Sequence, residues 1–188
     1  YRLIVADLDG TLIGDDLTFS PAVRTAVQEA IRQGLYFTLA TGRTFQEALP
    51  FARQLGVNAP IILYQGGEIR DSETGDVLYQ ATLPLDCARE FIAFVAGAGL
   101  HLNMYLDDRV YVAHETPELK LYTSMNRVRV EAVGDLQAFM QAEPHKFVIV
   151  ASPERLDQVA PALQAQFTGR LQIVRSHRHF LEAIPPEV

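Results

Sequence analysis

Cysteine, basic charge and long apolar runs are all scarce in this sequence of 188 residues. Cys87 is the single cysteine, so the chain cannot form an internal disulfide, and we expect a reducing compartment such as the cytoplasm. The formal net charge is −7, whereas a general nucleic-acid binder normally carries a basic surface. No apolar segment approaches the length of a membrane span, and no signal-peptide pattern opens the sequence. We therefore expect neither a nucleic-acid nor a membrane partner.

The rest of the composition is that of an ordinary soluble globular protein. Hydrophobic residues make up 48% of the chain and charged residues 21%, which is enough apolar material for a buried core. A chain of this length can form one domain or two small ones. These values fit an enzyme that acts on small molecules, but composition alone identifies no reaction.

The most informative segment is residues 7–11 (DLDGT), which follows the apolar residues 3–6. The apolar run predicts a buried strand of a parallel sheet. Asp7 and Asp9 are two residues apart at its end, so their side chains leave the strand on the same side. Their mutual repulsion would be offset by a divalent cation or by protonation of one carboxyl group. A solvated acidic turn is the simpler alternative.

The segments that follow predict a parallel α/β arrangement. Apolar strands are expected at residues 35–40 and 61–64, with helices beginning near Ser20 and Thr44. Thr44 and Glu47 have the spacing of a capping box. A strand–helix–strand–helix–strand order predicts parallel strands joined by right-handed crossovers.

The ends of the second and third predicted strands also carry polar or glycine residues. The Thr41 hydroxyl and the Gly42 amide, beside a helix N-terminus, make a candidate anion site. Helix capping explains Thr41 and Thr44 equally well if each is taken alone. Arg43 can pair with a nearby carboxylate or contact a phosphate, and the ion pair is the favoured alternative. Residues 65–67 (QGG) are most simply a turn into the next hairpin.

The second half of the chain predicts a different arrangement of elements, with short strands and two or three helices. Residues 83–179 predict an inserted α+β module, and residues 180–184 are interpreted as the return to the first domain. The predicted fold class is α/β, with an incomplete Rossmann-like parallel-sheet core and an inserted α+β domain. The predicted core comprises residues 1–82 and 180–188.

Two motifs resemble those of a known superfamily. Residues 7–12 (DLDGTL) are similar to the first motif of the haloacid dehalogenase (HAD) superfamily. Residues 39–43 (LATGR) resemble its second motif, in the form typical of Cof-type phosphatases. Residues 60–84 also resemble that subfamily, and the similarity extends over essentially the whole chain. The resemblance implies that residues 83–179 form the cap that closes over the site and selects the substrate.

The resemblance implies a Mg²⁺-dependent phosphohydrolase of small phosphorylated metabolites, such as sugar phosphates. Asp7 would be the nucleophile that forms an aspartyl phosphate, and Asp9 would be the general acid and then the general base. The Asp7 carboxylate and the Asp9 main-chain carbonyl would ligate Mg²⁺. The residues that would hold the phosphoryl group are Gly10, Thr11, Thr41, Gly42 and Arg43.

The chain departs from the family pattern in two respects. The family usually carries asparagine at the position of Gln65, and its third (lysine) and fourth (acidic) motifs do not occur within residues 1–188. We therefore interpret the sequence as a truncated form of a longer phosphatase with little or no activity. An uncovered sheet edge and self-association through it are expected. The alternatives are a phosphomutase with the same aspartyl phosphate and a non-catalytic, receiver-like or binding module.

Overall fold

A computed structural model describes residues 1–14, 16–126 and 128–188. The chain divides into two compact units, Tyr1–Gln80 and Ala81–Val188, which are called unit 1 and unit 2 below. The division falls two residues before the boundary predicted from the sequence. In the described ranges, no helix has both the length and the apolar character needed to cross a bilayer.

The described residues of unit 1 form a five-stranded sheet, two α-helices and a single 3₁₀ turn at Tyr64–Gly66. The strands follow the order β1-β2-β3-β4-β5 in space, with β1, β2 and β3 parallel and β4 and β5 antiparallel. The predicted parallel α/β arrangement is therefore confirmed. The elements are β1 (Leu3–Asp7), α1 (Pro21–Arg32), β2 (Tyr36–Ala40), α2 (Phe45–Leu55), β3 (Ile61–Leu63), β4 (Glu68–Arg70) and β5 (Val77–Gln80).

Both helices of unit 1 begin where their capping residues predict. The Ser20 hydroxyl accepts a hydrogen bond from the Val23 N–H at the start of α1. At α2, the Thr44 hydroxyl accepts from the Glu47 N–H at 3.3 Å and the Glu47 carboxylate accepts from the Thr44 N–H at 3.1 Å. These bonds satisfy N–H groups that have no partner within the helix. The predicted capping box is confirmed.

Strand β1 is less buried than its apolar sequence predicts. It pairs with β2 alone and lies at the edge of the sheet, and the side chains of Leu3 and Val5 are exposed. The prediction of a buried strand is therefore wrong for the described chain, because a strand with one neighbour is covered less than a central one. The uncovered edge that would follow from a truncated core, and self-association through it, stay predictions.

Unit 2 contains a six-stranded sheet in the order β10-β11-β9-β6-β7-β8, in which the β7–β8 pair is parallel and the other pairs are antiparallel. Its helices are α3 (Leu85–Gly97), α4 (Pro117–Met125), α5 (Leu136–Phe139) and α6 (Pro153–Gln166). Its strands are β6 (His101–Leu106), β7 (Arg109–Val112), β8 (Val130–Ala132), β9 (Lys146–Val150), β10 (Gln172–His177) and β11 (Phe180–Ile184).

The last strand corrects the predicted domain layout. Residues 180–184 were expected to return to the first domain, but they form β11, which pairs with β10 on one side and β9 on the other. Leu181 and Ala183 belong to the same buried apolar cluster as Ile149 of β9. A short apolar strand is stabilised wherever both of its edges find hydrogen-bond partners, and β9 and β10 supply them here. Assigning residues 180–188 to the first domain is therefore wrong.

The two faces of the unit 2 sheet differ in chemistry. One face packs against α3 and α6, where the Phe91 and Phe147 rings stack with centroids 5.1 Å apart. The opposite face carries buried polar groups, among them the ion pair between Lys146 Nζ and Glu182 Oε2 at 2.8 Å. The Lys146 ammonium also lies 4.8 Å from the centroid of the Tyr105 ring.

Candidate active site

The carboxyl ends of β1, β2 and β3 lie at the same level of the unit 1 sheet. Asp7 is opposite Ala40 in the β1–β2 pair, and Ala40 is opposite Ile62 in the β2–β3 pair. The Thr41 N–H continues this register by donating to the Ile62 carbonyl at 3.0 Å. Ligands of open α/β sheets bind at this end of the strands, so these exits define the candidate site.

Asp7 is held in a defined orientation by two hydrogen bonds. Its Oδ1 accepts from the Leu8 N–H at 2.8 Å, and its Oδ2 accepts from the Thr11 hydroxyl at 3.1 Å. The side chain is exposed, and each carboxylate oxygen can accept more than one hydrogen bond or ligate a cation. Asp7 is therefore both oriented and accessible to a reacting group.

The turn after Asp7 is fixed by backbone hydrogen bonds and one buried side chain. Gly10 has a φ of 74°, a conformation in which a side chain is unfavourable, and its N–H donates to the Ile13 carbonyl at 2.9 Å. The Leu8 side chain between the two aspartates is fully buried. The Gly10 amide, expected at a phosphoryl group, already has an acceptor in this turn.

Asp9 and Arg43 form a bidentate ion pair. Arg43 Nε donates to Asp9 Oδ2 at 2.8 Å, and Nη2 donates to Oδ1 at 2.7 Å. The guanidinium carbon also lies 5.0 Å from the centroid of the Phe51 ring. Paired N–H donors match the geometry of a carboxylate, so this contact fixes both side chains. Of the two alternatives for Arg43, the structure contains the ion pair.

The β2 exit contributes a buried hydroxyl and a glycine. The Thr41 side chain is buried, and its hydroxyl accepts from the Arg43 N–H at 3.3 Å. Thr44, not Thr41, is the cap of α2. Gly42 faces the Gln65 side chain so closely that an added Cβ would lie 2.6 Å from Gln65 Nε2. Thr41 and Gly42 are therefore adjacent to the polar end of Gln65.

Two residues at the site have roles that sequence reasoning did not assign. Gln65 was noted as part of a turn at the third strand exit and as a departure from the asparagine usual in the family, but nothing in its local sequence connects it with Gly42. Phe51 of α2 lies under Arg43, which precedes the helix and its cap, so helical periodicity does not predict this contact. Both contacts arise because the β2 exit leads directly into α2 and lies beside the β3 exit.

The donor set at the β1 exit is compatible with a magnesium ion. Mg²⁺ is usually bound through one or two carboxylates together with water and substrate phosphate. Asp7 offers a carboxylate of this kind, and Asp9 follows two residues later. Among the residues that the structure describes, no group of three or more histidine, cysteine, aspartate or glutamate side chains could hold a metal ion. The carboxylate oxygens at the β1 exit are thus ligands of the kind that suits a Mg²⁺ ion bound by few protein groups.

The similarity to known proteins covers both units. The family of haloacid dehalogenase-like hydrolases matches residues 4–188. The chain belongs to this family. A crystal structure of a haloacid dehalogenase-like hydrolase from Bacteroides thetaiotaomicron superposes with a TM-score of 0.88 at 26% identity, covering 99% of this chain and 71% of the other.

Curated relatives of this haloacid dehalogenase-like chain carry phosphatase names. The HMP-PP phosphatase of Yersinia pseudotuberculosis is 26% identical over 185 residues, covering 98% of this chain and 67% of the relative. The 5-amino-6-(5-phospho-D-ribitylamino)uracil phosphatase YitU of Bacillus subtilis is 27% identical over 183 residues, covering 95% and 65% respectively. The chain thus spans about two thirds of the length of these relatives. The predicted superfamily and the predicted phosphatase class are confirmed.

Proposed function

We propose that this protein is a Mg²⁺-dependent phosphohydrolase of small phosphorylated metabolites and acts through an aspartyl phosphate on Asp7. The observation that carries the proposal is the oriented, exposed Asp7 carboxylate at the β1 exit, level with the Thr41–Gly42 exit of β2. The names of the two phosphatase relatives describe small phosphorylated substrates, which supports the same substrate class for this chain. The cap role of unit 2 and a cytoplasmic location stay predictions.

The first step would transfer the phosphoryl group to the protein. An Asp7 oxygen forms a bond to phosphorus, and the bond between phosphorus and the ester oxygen breaks. The leaving oxygen takes a proton from the Asp9 carboxyl group. The Thr41 hydroxyl and the Gly42 amide are suited to donate hydrogen bonds to the phosphoryl oxygens. Thr11 keeps Asp7 oriented through its hydrogen bond to Oδ2.

The second step would hydrolyse the aspartyl phosphate and regenerate Asp7. Asp9, now a carboxylate, removes a proton from a water molecule, whose oxygen bonds to phosphorus as the bond to Asp7 breaks. Inorganic phosphate leaves and Asp7 is restored. Mg²⁺, held by the Asp7 carboxylate and the Asp9 main-chain carbonyl, would supply positive charge that lets a phosphate approach two carboxylates.

We expect turnover to depend on the metal. The intact protein, assayed against a panel of small phosphate monoesters, should release inorganic phosphate with Mg²⁺, lose this activity in EDTA and regain it when Mg²⁺ is added in excess. The physical reason is the repulsion between a phosphate and the carboxylates of Asp7 and Asp9. Undiminished turnover in EDTA would contradict the proposal. Transfer of phosphate to a second sugar hydroxyl instead of to water would indicate a phosphomutase.

The expectation that residues 1–188 alone have little activity stays a prediction. It is tested by assaying this chain by itself in the presence of Mg²⁺, and robust turnover would contradict it.

The ion pair with Asp9 supports a positioning role for Arg43 within this mechanism. In the second step Asp9 acts as a carboxylate, and the two hydrogen bonds from Arg43 fix it for removing a proton from water. In the first step one of these bonds has to open, because the oxygen that carries the proton donates and does not accept. The motif resemblance instead implies a contact between Arg43 and the phosphoryl group. The two roles predict different kinetics, because a phosphate contact acts on binding and a contact with Asp9 acts on proton transfer.

For Arg43→Lys we expect kcat to fall about tenfold while KM changes less than about twofold, because lysine keeps the charge but cannot form the paired hydrogen bonds. Steady-state kinetics with one monoester measure both constants. Arg53→Lys, on the exposed side of α2, is the matched control and should leave both unchanged. A rise in KM and in the inhibition constant of inorganic phosphate, with kcat unchanged, would assign Arg43 to the phosphoryl group.

A further inference from the structure

The β3 exit contains two consecutive residues in the left-handed backbone region. Tyr64 has a φ of 51° and Gln65 a φ of 58°, and neither is glycine. Residues with side chains rarely adopt this conformation, and such backbone strain concentrates at ligand-binding and catalytic sites. Here it is held by two hydrogen bonds, from the Tyr64 N–H to the Arg43 carbonyl at 3.2 Å and from the Gln65 N–H to the Thr41 carbonyl at 3.1 Å.

These bonds join the β3 exit to the β2 exit and orient the Gln65 side chain. The Gln65 amide lies against Gly42, where an added Cβ would be 2.6 Å from Nε2 and 3.1 Å from Cδ. The distance of 2.6 Å is too short for a real Cβ and that of 3.1 Å is tight, so the amide occupies space that a side chain at position 42 would need. The residue is nevertheless exposed. The strained backbone thus places the Gln65 amide beside Gly42, next to Thr41 in the chain.

We propose that Gln65 is a substrate-binding residue whose side-chain amide donates a hydrogen bond to the phosphoryl group held by Thr41 and Gly42. This inference rests on the proposed phosphohydrolase function and adds a residue to its binding site. The chemistry fits because two of the N–H groups of Arg43 bind Asp9, so a donor at the β3 exit would add to those of Thr41 and Gly42 around a phosphoryl group. A carboxamide supplies two N–H donors and binds a dianion without itself being charged.

The isosteric change Gln65→Glu tests the proposal through charge. It replaces the NH₂ donor by a carboxylate oxygen, which repels a phosphate. We expect KM for a phosphate monoester to rise tenfold or more and the dissociation constant of inorganic phosphate, measured by calorimetry, to rise in parallel. Gln65→Ala should raise both by about fivefold, since it removes one hydrogen bond without adding repulsion. Gln54→Glu, exposed on α2, is the matched control and should change neither.

The outcomes separate this inference from the proposed function. Unchanged KM and phosphate affinity in Gln65→Glu overturn the inference, even if the intact protein hydrolyses monoesters. Absence of hydrolysis by the intact wild-type protein overturns the proposed function, and the calorimetric comparison with inorganic phosphate still decides the role of Gln65. An equal loss of phosphate affinity in Gln54→Glu would indicate general charge repulsion and would also overturn the inference.

A second measurement tests the contact between Gln65 and Gly42. Gly42→Ala should displace the Gln65 amide, and we expect it to raise KM about tenfold in the wild-type background. In the Gln65→Ala background the same substitution should raise KM about twofold, because the displaced group is already absent. Equal effects in the two backgrounds would show that the two residues act independently and would overturn the coupling. The thermal midpoints of all variants provide the check on folding.

Discussion

Asp7→Asn should lower kcat by about ten-thousand-fold or more, because the substitution removes the charged oxygen that would attack phosphorus. The change is nearly isosteric. Its amide oxygen can still accept from the Leu8 N–H, and its NH₂ group can donate to the Thr11 hydroxyl, so the turn after β1 should be retained. The measurement is initial-rate release of inorganic phosphate from a monoester by the intact protein at saturating Mg²⁺.

The matched control for this variant is Asp71→Asn in the turn between β4 and β5. Asp71 also accepts hydrogen bonds from backbone N–H groups, those of Glu73 and Thr74, both at 2.8 Å. Asp71 is far from Asp7 and Asp9 in the sequence, and the Asp71→Asn variant should keep the wild-type kcat. Turnover by Asp7→Asn at more than about a hundredth of the wild-type rate would eliminate Asp7 as the nucleophile. A normal thermal midpoint would show that the loss is chemical.

The second large effect is expected on stability. Lys146→Met should lower the free energy of unfolding of unit 2 by about 3–5 kcal/mol, because it removes the buried ammonium group that pairs with the Glu182 carboxylate. The side chains of Lys146 and Glu182 are only 4% and 8% exposed, so water cannot replace the lost partner. Chemical denaturation followed by circular dichroism measures the change, with the transition of unit 2 treated separately from that of unit 1.

Two control variants distinguish the effect of burial on stability from the effect of losing an ion pair. The double variant Lys146→Met/Glu182→Leu should recover most of the loss, since an apolar pair of similar volume often replaces a buried ion pair at little cost. Arg170→Met breaks the ion pair between Arg170 and Glu90, whose side chains are each 41% exposed, and should change the stability far less than Lys146→Met does, because solvent screens an exposed pair. A loss in Lys146→Met no larger than that in Arg170→Met would contradict the argument.

Local sequence signals predicted the helices of unit 1 well. Ser20 and Thr44 cap α1 and α2 through contacts within three residues, so the information needed to place these starts is contiguous in the chain. The apolar segment before Asp7 likewise predicted a strand. Its burial was predicted wrongly, because burial depends on how many strands and helices cover β1, which its own residues do not encode.

The layout of the second half depended more strongly on long-range pairing. The segment that forms β11 has the composition of a buried strand, and that composition is satisfied in any sheet with two neighbouring strands. It was therefore assigned to the wrong unit. Its partners β9 and β10 were decided by inter-strand hydrogen bonds and by the packing of Leu181 and Ala183 in the apolar cluster of unit 2.

The candidate site shows the same division. The two-residue spacing of Asp7 and Asp9 places both carboxylates at the end of β1, and the residues 39–43 carry the family resemblance; both features are local. The pairing of Asp9 with Arg43 joins residues 34 positions apart and could not be derived from spacing. The contact between Gly42 and Gln65 arises only because β2 and β3 are neighbours in the sheet.

The sequence by itself determined the superfamily, the α/β class, the helix starts and the identity of the carboxylates at the first strand exit. These depend on side-chain chemistry and on contacts within a few residues. Only the tertiary structure decided the neighbours of β11, the exposure of β1, the partner of Asp9 and the position of the Gln65 amide. Each of these follows from sheet register, which brings distant residues together through backbone hydrogen bonds that are common to all sequences and therefore leave no local signal.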